Sequence, residues 1–203
     1  MILSLTAYAV IPIYTILFVS GTNWLTSNLS VIGNWPDRQV SFFLLGLIIG
    51  LYYHCILKRL LSHLPHHLWE SVLLHTALIL LFLAVSTPYL PAQVPLQSFL
   101  HVLFAFSASI LILICLYLTL WRLSSLSQDI RTRMRPYRRS LVSITIVSAI
   151  LLFIAGIVSS ALEIFFILST TILLQRLYQQ FTCNFLNSVY NKSITSYFYE
   201  KRR

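Results

Sequence analysis

LVSITIVSAILLFIAGIVSSALEIFFILSTTILLQRLY, residues 141–178, is the stretch on which the fold turns. Its only charged residues are Glu163 and Arg176. A bilayer core takes about 20 apolar residues per helix, so this run is nearly twice the length of one crossing. Backbone inside hydrocarbon must satisfy its own hydrogen bonds, which makes the helix the spanning element here. The run therefore reads as two helices, 141–158 and 161–178, folded back at a tight turn around Gly156.

Outward from this hairpin, four further apolar blocks give spans at 2–20, 39–57, 69–86 and 98–121. The 203 residues are 58% hydrophobic and 9% charged, with a mean hydropathy of +0.81. A soluble domain could not cover that much apolar surface, and lipid must do so. The expected class is an all-α polytopic integral membrane protein, a six-transmembrane-helix bundle over residues 1–178. A basic tail, 179–203, follows. Phe181, Phe185, Val189 and Tyr190 recur in it at helical spacing, the pattern of a helix lying along a membrane surface. No Lys or Arg precedes the first apolar run, so residues 2–20 read as a retained span, not a signal peptide.

Charge sets the orientation. Thirteen of the fourteen Lys and Arg residues fall after spans 2, 4 and 6, and Arg38 alone falls on the other side. The positive-inside rule places both termini in the cytoplasm, with 21–38, 87–97 and the turn at 156–161 facing outward. This bias accounts for the net charge of +9, so no nucleic-acid partner is expected. The basic loop 122–139 is expected to lie beside anionic headgroups. The cell membrane is the expected location.

Smaller signals have structural readings. Trp24 and Trp35 suit headgroup depth. Segment 25–35 reads as a loop or a short interfacial helix, and Pro36 as the opening of span 2. Gly46 and Gly50 form a small-xxx-small step for close helix packing. Pro88, Pro91 and Pro95 stiffen the second outer loop. His63, His66 and His67 read as a solvated turn, since they lack the spacing of a metal motif. No metal or cofactor is expected. Cys55 and Cys115 lie within spans and Cys183 in the tail, so no disulfide is expected.

Ionisable residues at membrane depth each need a reason. Glu70 opens span 3, where it meets water and the helix N-terminus favourably. His54 and His75 read as neutral rings bonded to neighbouring helices. Asp37, Arg38, His101 and Glu163 all fall at the outward ends of spans, with Ser30, Asn34, Ser86 and Tyr89 at similar depth. Together, Asp37, Arg38, His101, Glu163, Ser30 and Asn34 are the candidate ligand-binding set. An imidazole between carboxylates suits general acid–base work or the holding of a polar headgroup. The competing reading is a structural network in which Arg38 neutralises Glu163 or Asp37 and His101 bridges them.

The stretch Ser30-Val31-Ile32-Gly33-Asn34-Trp35-Pro36-Asp37, followed by Phe42 and Phe43, resembles the first outer loop of the Frag1/DRAM/Sfk1 family. His101 is similar to that family's His at the head of span 4, and Ala161-Leu162-Glu163 to its Glu in span 6. Ser27-Asn28-Leu29-Ser30 resembles the corresponding loop of the DUF998 group. The sequence departs from the family where Val31 (or Asn28) stands for Asp, where Asp37 stands for Glu, and where Phe165 and Phe166 stand for Trp. The resemblance implies six spans and an association with lipid handling. Three functions follow as expectations. The first is lipid-headgroup binding at an outward-facing polar pocket, with or without catalysis. The second is a non-enzymatic membrane subunit docking through Gly46/Gly50 and the basic loop, or a homo-oligomer. The third is a small transporter using Ser107, Ser109, Thr145 and Ser148 as a polar path.

Overall fold

The computed structural model describes residues 1–156 and 158–200, with side chains as far as Thr182. The described chain is helical, with elements α1 (Ile2–Leu5), a π-helical turn (Thr6–Val10), α2 (Ile11–Phe18), α3 (Leu29–Gly33), α4 (Gln39–Leu61), α5 (Leu68–Ser86), α6 (Pro95–Ser125), α7 (Gln128–Ala155) and α8 (Ser160–Glu200). Five helices are long and apolar enough to cross a membrane: α4, α5, α6, α7 and residues Ser160–Thr182 of α8. The protein is therefore an α-helical membrane bundle. The N-terminal helix, Ile2–Phe18, is apolar but shorter. Pro12 near the start of α2 removes one backbone donor, and the preceding π turn absorbs the mismatch.

The reversal inside residues 141–178 is where the sequence places it. Gly156 caps α7 in the left-handed conformation at φ 65°, and α8 starts at Ser160. Helix α4 runs four residues beyond the apolar block 39–57, and α5 begins one residue before the block 69–86. Three local expectations are corrected. The basic segment 122–139 is not a loop: α6 runs on through Ser125 and α7 begins at Gln128. Ser127 caps α7 by accepting from Ile130 N at 3.2 Å, and Asp129 pairs with Arg133 one turn on at 3.1 Å. Pro36 sits in a turn before α4, closed by Arg38 N donating to Trp35 O at 2.8 Å. Glu70 is 2% exposed, not solvated. It accepts from Arg122 Nη1 at 2.9 Å, and Arg122 also bonds the carbonyls of Pro65 and His66. One residue thus ties α6 to the α4–α5 turn.

The step at Gly46 and Gly50 is filled from within. A Cβ at Gly46 would stand 2.5 Å from Val85 Cγ1, and one at Gly50 would touch Leu81 and Leu78. The glycines let α4 approach α5 closely, so they are an internal packing surface and not a free docking face. Between α4 and α8 lies a buried polar seam. Tyr53 OH meets Thr170 Oγ1 at 2.6 Å, and Tyr52 OH donates to Thr171 O at 3.1 Å and lies 3.3 Å from Gln175 Oε1. Gln175 Nε2 then donates to Ser4 Oγ at 3.0 Å, which ties α1 to the same seam. Exposed Trp24 and Trp35 lie at one end of the bundle and exposed Trp69 and Trp121 at the other, as two interfacial belts would. The tail positions Phe185, Val189 and Tyr190 belong to the helical backbone of α8, but their side chains lie outside the described residues, as does Cys183. Phe181 packs edge-on against His63 at 5.2 Å.

Candidate functional site

The site lies at the end of the bundle that holds the loops 21–38, 87–94 and the α7–α8 turn. It begins with α3. Asn28 caps this one-turn helix, its Oδ1 accepting from Val31 N at 2.7 Å. Leu29, Ser30, Ile32 and Gly33 are buried, so α3 is a plug set into the bundle, not a helix lying on its surface. Gly33 permits this, because a Cβ there would collide with Phe42 Cγ at 2.5 Å. Seated on Phe42, α3 points Ser30 at α6.

There Ser30 Oγ lies 2.5 Å from His101 Nε2. On the other side of the ring, Nδ1 lies 2.8 Å from Thr87 O. A carbonyl can only accept, so Nδ1 carries the proton. With Nδ1 protonated, it is the Nε2 position that faces the Ser30 hydroxyl. Ser30 is 7% exposed and His101 3%. The rings of Phe42 and Tyr89 flank the imidazole at 6.4 and 5.6 Å between centroids. Asn34 fixes the loops 21–38 and 87–94 together. Its Nδ2 donates to Ser30 O and Tyr89 O, both at 2.8 Å, while its Oδ1 accepts from Tyr89 N at 3.3 Å.

Glu163 holds the plug from the α8 side. Its Oε2 accepts from Leu29 N at 2.7 Å. In return the loop carbonyls of Ser27 and Trp24 accept from Ser160 N and Ala161 N, at 2.7 and 2.9 Å. The loop therefore caps α8 while α8 caps α3. This is a capping box split between two segments of the chain.

Four of the six candidate residues, Ser30, Asn34, His101 and Glu163, are thus brought together around one loop. Asp37 and Arg38 are not part of that group. Arg38 Nη1 donates to Phe18 O at 2.6 Å and reaches Ser20 O at 3.3 Å, and its guanidinium lies 5.0 Å from the Trp35 ring centre. The unsatisfied carbonyls at the end of α2 draw the cation there. Asp37 is mostly exposed, with 3.9 Å between its carboxylate and Arg38 Nε. Of the two expected partners of Arg38, Asp37 lies beside it and Glu163 does not, and His101 bridges neither acid: a serine–histidine–carbonyl line and a separate carboxylate–amide contact stand in its place. The partner of His101 was missed in sequence because a serine in an apolar chain carries no charge to mark it.

Ser30, His101 and Glu163 line one end of a cavity of about 330 Å³, within the size range of small-molecule pockets. The rest is lined mainly by apolar side chains of α4 to α8 and reaches Thr145 and Ser148 on α7. Val102, Phe106 and Ile110 on α6 and Ala149 on α7 line it and are also exposed, so the rim lies between these helices on the lipid-facing surface. Of the hydroxyls considered for a polar path, Ser109 and Thr145 are satisfied by carbonyls of their own helices, and Ser107 lies outside the lining. His54 and His75 pack edge-on at 5.5 Å, with His75 Nδ1 bonded to Ser71 O in its own helix. Among the described residues no group of three His, Cys, Asp or Glu is placed to hold a metal ion. No family model, curated protein or solved structure matches this chain.

Proposed function

We propose that this chain is a six-span protein of the cell membrane, with both termini cytoplasmic, that binds a lipid from the outer leaflet. The polar head or glycerol region sits against Ser30, His101 and Glu163, and an acyl chain lies along the cavity. One observation carries the reading: a polar group, with Ser30 and His101 buried and Glu163 half-buried, closes one end of an apolar cavity whose rim faces the hydrocarbon. A soluble ligand would have no use for the apolar length, and a purely structural polar cluster would need no cavity beside it. The resemblance to the Frag1/DRAM/Sfk1 and DUF998 groups belongs to the same proposal.

The sixth span is the N-terminal helix. Ser4 and Tyr8 lie beside Gln175 and Gln179 of α8, and Phe18 lies against Phe42 and Arg38 at the start of α4. At 1.5 Å per residue, Ile2–Phe18 covers about 26 Å, close to a hydrocarbon core of about 30 Å.

Native mass spectrometry of the mildly solubilised protein tests the lipid reading. The wild type should carry a bound lipid, and a Glu163→Gln/His101→Ala double variant that remains folded should lose it. Equal lipid loads on both forms, or a stoichiometric second protein in place of lipid, would move the subunit reading to first place.

A further inference from the structure

Many hydroxyls in this bundle bond a carbonyl of their own helix, and Ser30 does not. Ser109, Thr119, Ser124, Thr145 and Ser169 each donate to the carbonyl four residues earlier in their own helix. That local bond is the usual fate of a serine or threonine in an apolar helix. Ser30 instead reaches 71 residues along the chain to an imidazole nitrogen. His101 is unusual in the same way. His63, His67 and His75 set Nδ1 against a carbonyl three or four residues earlier, whereas His101 joins α6 to two separate loops.

We propose that Ser30 and His101 form a catalytic dyad that transfers the acyl group of a lipid carboxylic ester bound in the cavity. The proposal rests on the lipid-binding reading above. A serine hydroxyl is a weak nucleophile until a base takes its proton, and Nε2 at 2.5 Å is placed to do so. The base must be held in one tautomer and one orientation, and the Thr87 carbonyl on Nδ1 does both. The pair is buried yet borders the cavity, so substrate reaches it with little competing water.

The chemistry closes without any oxidant or reductant. Ser30 Oγ attacks the ester carbonyl carbon as its proton passes to His101 Nε2. The resulting tetrahedral adduct collapses, the bond to the alcohol oxygen breaks, and Nε2 returns the proton to that oxygen as the alcohol leaves. The acyl group remains on Ser30 as an ester. Water, or the hydroxyl of a second lipid, then attacks it by the same steps in reverse, and the proton returns through Nε2 to Ser30 Oγ. Tyr89 lines the same cavity, and its ring packs on the His101 imidazole. Glu163 holds Leu29 N, one residue before the nucleophile, and acts as a positioning residue. The apolar length running towards Thr145 and Ser148 selects a long acyl chain over a short soluble ester.

The test is covalent labelling of the full chain in nanodiscs with a long-chain alkyl fluorophosphonate, read by peptide mass spectrometry. One adduct on Ser30 is expected. Ser30→Ala should abolish it, and His101→Gln should slow it by at least about 100-fold, the lower bound for loss of a general base. The lipid carried by the mildly solubilised wild type, read by native mass spectrometry, separates the dyad from the binding reading. A wild type that holds lipid but is not labelled on Ser30, or is labelled at an unchanged rate in His101→Gln, overturns the dyad and leaves lipid binding intact. Absence of bound lipid from the wild type overturns the binding reading itself. If Ser30→Ala fails to fold, the position of the adduct on the wild type still decides.

Discussion

A single carboxylate oxygen decides how Ser30 is presented. Glu163 Oε2 accepts from Leu29 N at 2.7 Å, across 134 residues of sequence. The sequence marks Glu163 clearly, because an acid in an apolar span demands a partner, but it does not say which. Arg38 is the obvious guess by charge. The structure uses a backbone amide instead, because Arg38 is already committed to the carbonyls of Phe18 and Ser20. This choice has a measurable consequence. Glu163→Gln keeps an oxygen acceptor for Leu29 N and should lose little stability. Glu163→Ala leaves the amide unpaired and should cost about 1–3 kcal/mol, read as a lowered thermal unfolding midpoint in detergent. A charge-pairing role for Glu163 would make the two variants equally destabilised.

At the level of elements, periodicity and length located the long helices, while the contacts between them stayed hidden. Gly46 and Gly50 advertise a close approach without naming the partner, and the partner is α5. Gly46→Leu should therefore cost about 1–3 kcal/mol through overpacking, and Val85→Ala in the same chain should recover part of that loss. No recovery in the double variant would mean that the glycine face meets something other than α5. The Tyr52, Tyr53, Thr170 and Gln175 seam was illegible for a related reason. Neutral polar residues are common in spans, and only the crossing of α4 with α8 shows that these four meet. The helical character of segment 122–139 was hidden by its charge. Ser127 and Asp129 were the available signal, a cap followed by an acid in the first turn.

For the whole molecule, the segregation of basic residues to one end carries a topology that can be read directly. In a background lacking Cys55, Cys115 and Cys183, single cysteines at Ile2 and Arg139 should react with a membrane-impermeant maleimide only in inverted vesicles. One at Asp37 should react only in right-side-out vesicles. A cysteine at Ile2 that reacts from outside would remove the first crossing and leave five. Six apolar blocks were legible because hydropathy is a property of each segment alone. The site was legible only as a depth, since its geometry depends on three loops closing over one helix end. That closure has a consequence for how the protein is made. Ser30 is synthesised before the carboxylate that seats it, which comes 133 positions later. At about 5–20 residues per second, roughly 7–27 seconds separate the two. For that interval the loop that carries Ser30 exists without the helix that fastens it. The pocket is therefore completed only when the α7–α8 hairpin is made, and a ribosome that stalls before it leaves α2 to α6 around an unfinished site.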